Sequence, residues 1–459
     1  MNSVDVKKSQ AVRCLFGTDG VRDVANRGMM TPEMALRLGR AFILFLAERG
    51  IPRPRILLGR DTRRSGPMLE AALTSGMVSA GAQVRTLGII PTPGVSYLLQ
   101  EGEADGGAVI SASHNPAEYN GIKFFDGAGF KLRDEDEAAI EDYLGDPLLD
   151  DWRPTGASIG ETEPLLGGMD RYVLWLRECD PVGLRDGWTG VFDCAHGAAC
   201  VPAKALVAGS PSSLRWIGDA PNGLNINEGV GVMHLSALSE EVLRARVPFG
   251  VAFDGDADRT LLCDSRGRVL DGDVILWVLA RWLHGQGILG SGLVATVMSN
   301  LALEEKLQRE GIRVFRCPVG DRYVLETMHR EGSLLGGEQS GHVILRDWVR
   351  TGDGLCTALL FLRACRELEE DVDTLWDRFA RYPQKLCNVK VRDRKAVMES
   401  PLLRETLGDA EAELKDRGRL LLRPSGTEPL IRVLVEARDV DLMGRVTDRI
   451  VQVLESIKG

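Results

Sequence analysis

The segment Asp254-Gly255-Asp256-Ala257-Asp258-Arg259 sets three carboxylates at alternate positions directly after the apolar run Phe249 to Phe253. Oxygens at that spacing can point at one centre. Like charges held so close repel one another unless a hard cation neutralises them, and Mg²⁺ takes carboxylate and phosphate oxygens. Three carboxylates leave room for a phosphate oxygen, and Arg259 can hold an anion beside the ion. The same pattern also suits a solvated acidic turn.

A second candidate is Ser111-Ala112-Ser113-His114-Asn115-Pro116, followed by Asn120-Gly121-Ile122-Lys123. A serine at a strand end, with His114 beside it and Lys123 ten residues on, can accept a phosphoryl group while His or Lys moves the hydroxyl proton. Ser and Asn capping a turn before Pro116 is the plainer alternative. Arg423-Pro424-Ser425-Gly426-Thr427-Glu428-Pro429, with Arg432 beyond, offers two guanidinium groups, two hydroxyls and a Gly-freed backbone. That set makes an anion nest for a phosphate, or else a tight turn with surface arginines. Gly336-Gly337-Glu338-Gln339-Ser340-Gly341-His342 alternates polar and small residues, which suits a loop reading sugar hydroxyls. Phe16 to Arg22 (FGTDGVR) and Gly59 to Gly66 (GRDTRRSG) each supply Arg in a Gly-rich loop.

These loops need strands and helices behind them. Ile56 to Leu58, Ala108 to Ile110, Val191-Phe192, Phe249 to Phe253, Val294 to Val297 and Leu334-Leu335 are short aliphatic runs, each ending in a polar, Gly-rich segment. Helical patterns lie between them. Thr31-Pro32-Glu33 starts one, with Thr as N-cap and Pro at the first position, and Gly50 stops it. Met68 to Ala80, Asp134 to Leu144, Ser239 to Ala245, Asp271 to Leu283, Leu303 to Glu310 and Gly352 to Glu369 read as helices too. Strand–helix alternation predicts α/β layers with ligands at the C-terminal ends of strands. Breaks are expected near 150–165, 255–260 and 370–385. The last segment reads as a smaller α+β unit: strands Cys387 to Val391, Leu420 to Arg423 and Ile431 to Ala437, with helices Ser400 to Arg417 and Val440 to Ile457.

Composition narrows the partners. Asp and Glu number 66 against 56 Lys and Arg, a formal net charge of −10. A field of that sign disfavours nucleic acid and anionic membranes but permits a local basic pocket. The nine cysteines form no CxxC pair, which predicts reduced thiols rather than a disulfide frame or zinc site. MNSVDVKKSQAVR at the N-terminus has no apolar core of a secretory signal. The uncharged stretch Gly285 to Leu303 is broken by Gly, Ser and Asn300, so it does not read as a membrane span. A cytoplasmic protein is expected.

In order, spacing and wording the loops resemble the α-D-phosphohexomutase superfamily, and most of all its bacterial phosphoglucosamine mutases. The resemblance runs from Leu15 to about Lys458. It rests on FGTDGVR, on GEQSGH with Gln339 where relatives usually have Met, on LNINEG at 224–229, VGDRYVLE at 319–326, TGDGL at 351–355 and RPSGTEPLIRVLVE at 423–436. It implies a heart-shaped four-domain architecture: three similar α/β domains (1–157 with the phosphoserine loop, 158–256 with the metal loop at its end, 257–374 with the sugar loop) and a smaller C-terminal α+β domain (375–459). By the same resemblance Ser113 is the phosphoserine. Asp254, Asp256 and Asp258, with the Ser113 phosphate, hold one Mg²⁺. Lys123 and His114 are candidate acid/base groups, and Arg22 and Arg259 lie at the catalytic cleft. Glu338, Ser340 and His342 contact the sugar. Arg423, Ser425, Gly426, Thr427 and Arg432 hold the phosphate that is not reacting.

The reaction so implied converts glucosamine 6-phosphate to glucosamine 1-phosphate through a 1,6-bisphosphate intermediate, feeding UDP-N-acetylglucosamine and cell-wall precursor synthesis. The partner is a small phosphosugar, with room for a homodimer. A phosphomannomutase or phosphoglucomutase would share the chemistry and differ in sugar recognition. A phosphatase would need an open site, and a non-catalytic sensor would lack the nucleophile or metal loop. Two departures stand out: Asp23 replaces the Gly that usually follows Val-Arg, and Val230 to Ser236 (VGVMHLS) differs from the usual Cys-Gly-Ser-Thr-His-Pro-Glu. The first puts a negative charge near Arg22, and the second leaves the local loop conformation open.

Overall fold

The computed structural model describes residues 15–17, 20–424 and 429–457. The chain divides into two compact units, Met1–Val297 with Phe315–Leu375, and Met298–Val314 with Trp376–Gly459.

The first unit begins with a six-stranded sheet in the order Val21–Val24, Tyr119–Asp126, Gly106–Ile110, Arg55–Arg60, Gln83–Ile89 and Glu161–Pro164. Its last four strands run parallel, and Tyr119–Asp126 pairs antiparallel on both sides. Side chains alternate across the sheet. Ile56, Leu58, Ala108 and Ile110 pack in one cluster with Leu38, Phe42, Leu69 and Leu73 of helices Pro32–Glu48 and Gly66–Ser79. Leu57 and Val109 face the other way, against Val95 and Leu98 of helix Thr92–Gln100. A sheet covered on both faces needs apolar residues at successive positions, which explains the unbroken aliphatic runs. The helix expected after Thr31 forms as read: the Thr31 hydroxyl accepts from Met34 N, and Gly50 follows at φ 86°.

A five-stranded sheet follows, ordered Val269–Leu270, Thr260–Asp264, Phe249–Phe253, Thr189–Asp193 and Ser213–Ile217. Here the structure differs from the expected break near 255–260. Phe249–Phe253 and Thr260–Asp264 are antiparallel neighbours with Phe253 opposite Thr260, so the acidic segment is the turn of a hairpin. Backbone pairing across the turn keeps the chain in one sheet, and that sheet continues past residue 256. In a third sheet Leu293–Thr296 runs parallel to Leu335–Gly337, which pairs antiparallel with Val343–Leu345.

The second unit holds an antiparallel three-stranded sheet, Gln384–Lys390, Leu430–Ala437 and Gly418–Pro424, with Leu430–Ala437 central. Helices Pro401–Leu414 and Val440–Ile457 contribute Leu403, Ala410, Leu442, Val446 and Ile450 to its core with Ile431, Val433 and Val435. Among the described residues every cysteine is a free thiol. No described helix is long and apolar enough to cross a membrane.

Candidate active site

Ser113 follows the C-terminal end of strand Gly106–Ile110 and takes a left-handed backbone, φ 51°. Non-Gly residues pay for that conformation, so surrounding bonds must hold it. Ser113 N donates to Ser111 Oγ at 2.9 Å, and Ser111 Oγ donates to Asp61 Oδ2 at 2.7 Å. Arg63, whose side chain is 0% exposed, pairs with Asp61 at 2.9 Å. Its two terminal nitrogens donate to the carbonyls of Ser113 at 3.0 Å, Asn115 at 2.8 Å, Tyr119 at 3.0 Å, and Pro116. Asn227 Nδ2 reaches two of the same carbonyls, Ser113 at 2.9 Å and Asn115 at 3.0 Å. The backbone around the serine is thus fixed from both the first and the second sheet.

The serine hydroxyl points at the acidic turn. Ser113 Oγ donates to Asp254 Oδ2 at 2.5 Å and lies 3.3 Å from His114 Nδ1. Gly255 makes this approach possible: a Cβ there would sit 2.5 Å from the Ser113 carbonyl oxygen. Burial, then Arg259 and Arg22, push the His114 imidazole down to about 4, so the ring is neutral at physiological pH.

Asp254, Asp256 and Asp258 each offer an oxygen within 4.8 Å of the others, and all three are buried. Asp256 Oδ2 accepts from Thr92 Oγ1 at 2.6 Å and from Lys123 Nζ at 2.9 Å. Lys123 Nζ also reaches Asp258 Oδ2 at 3.4 Å. The remaining oxygens, Asp256 Oδ1 and Asp258 Oδ1, are buried with no hydrogen-bond partner among the described residues. Burial, with Asp258 and Asp256 adding to it, raises Asp254 well above the usual carboxylate range. Burial acts upward on Asp258 as well, but Lys123 and His342 outweigh it and hold that carboxyl well below the range. Crowded buried carboxylates with bare oxygens fit a hard divalent cation.

The remaining sequence candidates sit as follows. His342 is 3% exposed; its Nε2 accepts from Gly352 N at 3.2 Å, and its Nδ1 lies 3.7 Å from Asp258 Oδ1. Glu338 accepts from Gly320 N at 3.0 Å and from Ser340 Oγ at 3.1 Å. Arg259 Nε lies 3.8 Å from Asp258 Oδ1. Arg22 is on the edge strand, opposite Gly121. Its neighbour Asp23 spends both carboxylate oxygens locally, accepting from Val24 N at 2.7 Å and Met29 N at 3.0 Å. In the departing segment 230–236, Gly231 N donates to the buried Asp193 at 2.7 Å and Val232 N to the Phe253 carbonyl at 3.1 Å. The second bond ties the segment to the strand that carries the acidic turn, and the first to its neighbour, Thr189–Asp193.

Arg423 and Arg432 belong to the second unit, where they stand directly opposite each other on neighbouring strands. Ser425, Gly426 and Thr427 lie outside the described residues.

Sequence reasoning did not single out Thr92, Asn227 or Asp353, and it left Arg63 as a loop arginine. Asp353 caps helix Gly354–Glu367 through Cys356 N and accepts from Tyr172 OH at 2.8 Å. Gly354 N, next to it, donates to the Ala257 carbonyl inside the acidic turn at 2.9 Å. The TGDG stretch therefore buttresses that turn from behind. Its motif wording was the only available signal.

Residues 13–147 match the family model for phosphoglucomutase/phosphomannomutase alpha/beta/alpha domain I, residues 271–382 that for alpha/beta/alpha domain III, and residues 386–453 that for the C-terminal domain. The chain is similar to the phosphoglucosamine mutase of Bacillus velezensis, at 44% identity over 97% of this chain and 99% of the relative. The phosphoglucosamine mutase of Bacillus subtilis is 43% identical over the same shares. Among solved structures, a phosphoglucomutase/phosphomannomutase family protein from Burkholderia thailandensis superposes with a TM-score of 0.79 at 22% identity, covering 96% of this chain and 97% of that one. An Aspergillus fumigatus N-acetylphosphoglucosamine mutase, solved with GlcNAc-6P and magnesium, gives 0.70 at 16% identity, covering 97% and 96%. At such identities the structures establish the fold.

Proposed function

The chain belongs to the α-D-phosphohexomutase superfamily, with the bacterial phosphoglucosamine mutases, and on that premise we propose that this enzyme interconverts glucosamine 6-phosphate and glucosamine 1-phosphate. The observation that carries the chemistry is the buried 2.5 Å contact between Ser113 Oγ and Asp254, inside a cluster of three carboxylates with two bare oxygens.

In this reading Ser113 carries the phosphoryl group between turnovers. The Ser113 Oγ–phosphorus bond breaks as a bond to the free hydroxyl of the sugar phosphate forms, giving the 1,6-bisphosphate. That hydroxyl gives up its proton and Ser113 Oγ regains one. After the bisphosphate turns end over end, its other phosphate returns to Ser113. Asp254, Asp256 and Asp258 would hold Mg²⁺, which when bound supplies positive charge against the phosphoryl oxygens. The crowding of the three buried carboxyl groups, with two oxygens left without a hydrogen-bond partner among the described residues, fits that ion.

The chain's own residues position and protect. Arg63 and Asn227 hold the Ser113 backbone through its carbonyl, which leaves the hydroxyl free for the chemistry. His114, neutral and beside Oγ, and Lys123, buried against Asp256, are our candidates for moving the proton. Arg22 and Arg259 are assigned to the transferring group, and Glu338, Ser340 and His342 to the sugar loop. Arg423 and Arg432, with Ser425, Gly426 and Thr427, are assigned to a phosphate that is not reacting. A mutase must keep water from its phosphoserine, and the Ser113 hydroxyl is buried. We place the enzyme in the cytoplasm, upstream of aminosugar nucleotide synthesis.

The test compares turnover on glucosamine, glucose and mannose phosphates, with intact mass read for one phosphoryl group. Preference for the aminosugar and a phosphorylated chain support the assignment. Strong preference for mannose 1-phosphate would move it to the phosphomannomutases, and phosphate release as fast as isomerisation would make it a phosphatase.

A further inference from the structure

Asp256 treats its two side-chain oxygens unequally. Oδ2 accepts from Thr92 Oγ1 at 2.6 Å and from Lys123 Nζ at 2.9 Å, whereas Oδ1 is buried without a hydrogen-bond partner among the described residues. Thr92 is itself fully buried and opens helix Thr92–Gln100, whose N-cap, Pro91, makes no side-chain cap. Its backbone points the same way as its hydroxyl: Thr92 N donates to the Asp256 carbonyl at 3.0 Å. Two bonds from one residue therefore fix both the main chain and the carboxylate of Asp256. With Thr92 and Lys123 both donating to Oδ2, its two lone pairs are taken, and Oδ1 is the oxygen left to offer.

We propose that Thr92 is a positioning residue for the metal centre, pinning Asp256 by Oδ2 so that Oδ1 is the oxygen presented to the divalent cation. This rests on the reading of the carboxylate cluster as a metal centre. Lys123 shares the Oδ2 contact, but its ammonium also serves Asp258 and is a candidate proton carrier. The Thr92 hydroxyl is neutral and has one proton, spent on Asp256, so its grip does not change with the charge of Lys123. Outer contacts that orient a metal ligand are worth about 10–100-fold in metal affinity when removed.

The probe is Mn²⁺ alone, titrated by electron paramagnetic resonance into the full chain at one phosphorylation state, set by intact mass. Wild type, Thr92→Val, Thr92→Ser and Asp256→Asn are compared. We expect Thr92→Val to bind Mn²⁺ about 10–100-fold more weakly and Thr92→Ser to stay within about threefold of wild type. Should Thr92→Val fail to fold, Thr92→Ala read against Thr92→Ser makes the same comparison. Equal affinity in Thr92→Val and wild type overturns the proposal while leaving the metal centre standing. Equal loss in Val and Ser overturns it too, since the hydroxyl would then not be what matters. Failure of wild type to bind Mn²⁺, or unchanged binding in Asp256→Asn, sinks the metal reading itself.

Discussion

Ser113 and Asp254 meet through a 2.5 Å hydrogen bond, although 141 residues separate them and they extend from different sheets. Neither side chain reaches solvent, with Ser113 1% exposed and Asp254 fully buried. The hydroxyl is aimed by a strained backbone that Arg63 and Asn227 hold in place. The carboxylate is aimed by a hairpin turn. A serine fixed on one sheet and an acidic cluster fixed on the next need no rearrangement to meet, which is the preorganisation that the proposed phosphoryl transfer would reward.

Ser113→Ala is therefore expected to abolish isomerisation while leaving sugar phosphate binding intact. Left-handed backbone is no worse for Ala than for Ser, so the loop should keep its shape. Coupled turnover and calorimetric binding on the same preparation separate the two effects. Intact mass should show one phosphoryl group on wild type and none on the variant. Turnover near that of wild type would remove Ser113 from the scheme.

Arg63→Met tests the clamp beneath the serine. Arg63 and Asp61 are both fully buried, and Arg63 donates to the carbonyls of Ser113, Asn115, Pro116 and Tyr119. Removing the cation leaves the Asp61 charge buried alone, a loss of about 3–5 kcal/mol. Urea unfolding should show that loss. Adding Asp61→Asn should restore part of it, because the stranded charge goes with it. Wild-type stability in the single variant would mean that the pair does not hold the loop.

The acidic triplet, Ser113 and Lys123 were legible because each lies in a short pattern whose chemistry is local: alternate carboxylates, a strand-end serine, a lysine ten residues on. Strands such as Phe249–Phe253 and helices such as Pro32–Glu48 were legible for the same reason, through apolar runs and caps. Thr92 was not, since its partner Asp256 is 164 residues away and a Thr after Pro reads simply as a helix start. Asn227 and Arg63 act on backbone carbonyls, which carry no residue-type signal at all. The expected break at 255–260 failed because a Gly-rich polar loop looks alike whether it joins domains or closes a hairpin. Only the pairing of Phe253 with Thr260 distinguishes them.

Asp353 gives a pH prediction with a definite sign. Burial pushes its carboxyl up to about 7, against the hydrogen bonds from Cys356 N and Tyr172 OH. In the unfolded chain an Asp titrates near about 3.9. Between those values the folded protein binds the extra proton, so this group's contribution is fully present below about pH 4 and is lost as pH rises through about 7. Asp353→Asn keeps the cap through its carbonyl oxygen and carries no charge. It should be more stable than wild type at pH 8, by about 4 kcal/mol at most, with the gap closing toward pH 4. Thermal unfolding across that range checks it; a gap that widens on acidification would reverse the argument.

Arg423 and Arg432 stand opposite each other on antiparallel strands of the second unit, so both side chains leave the same face of the sheet. An anion between two guanidinium groups so placed can be held by both. Arg423→Gln should therefore raise KM for the sugar phosphate more than it lowers kcat, because a phosphate held away from the reacting end contributes mainly uniform binding. Steady-state kinetics checks it, and an unchanged KM would take the substrate phosphate away from this loop.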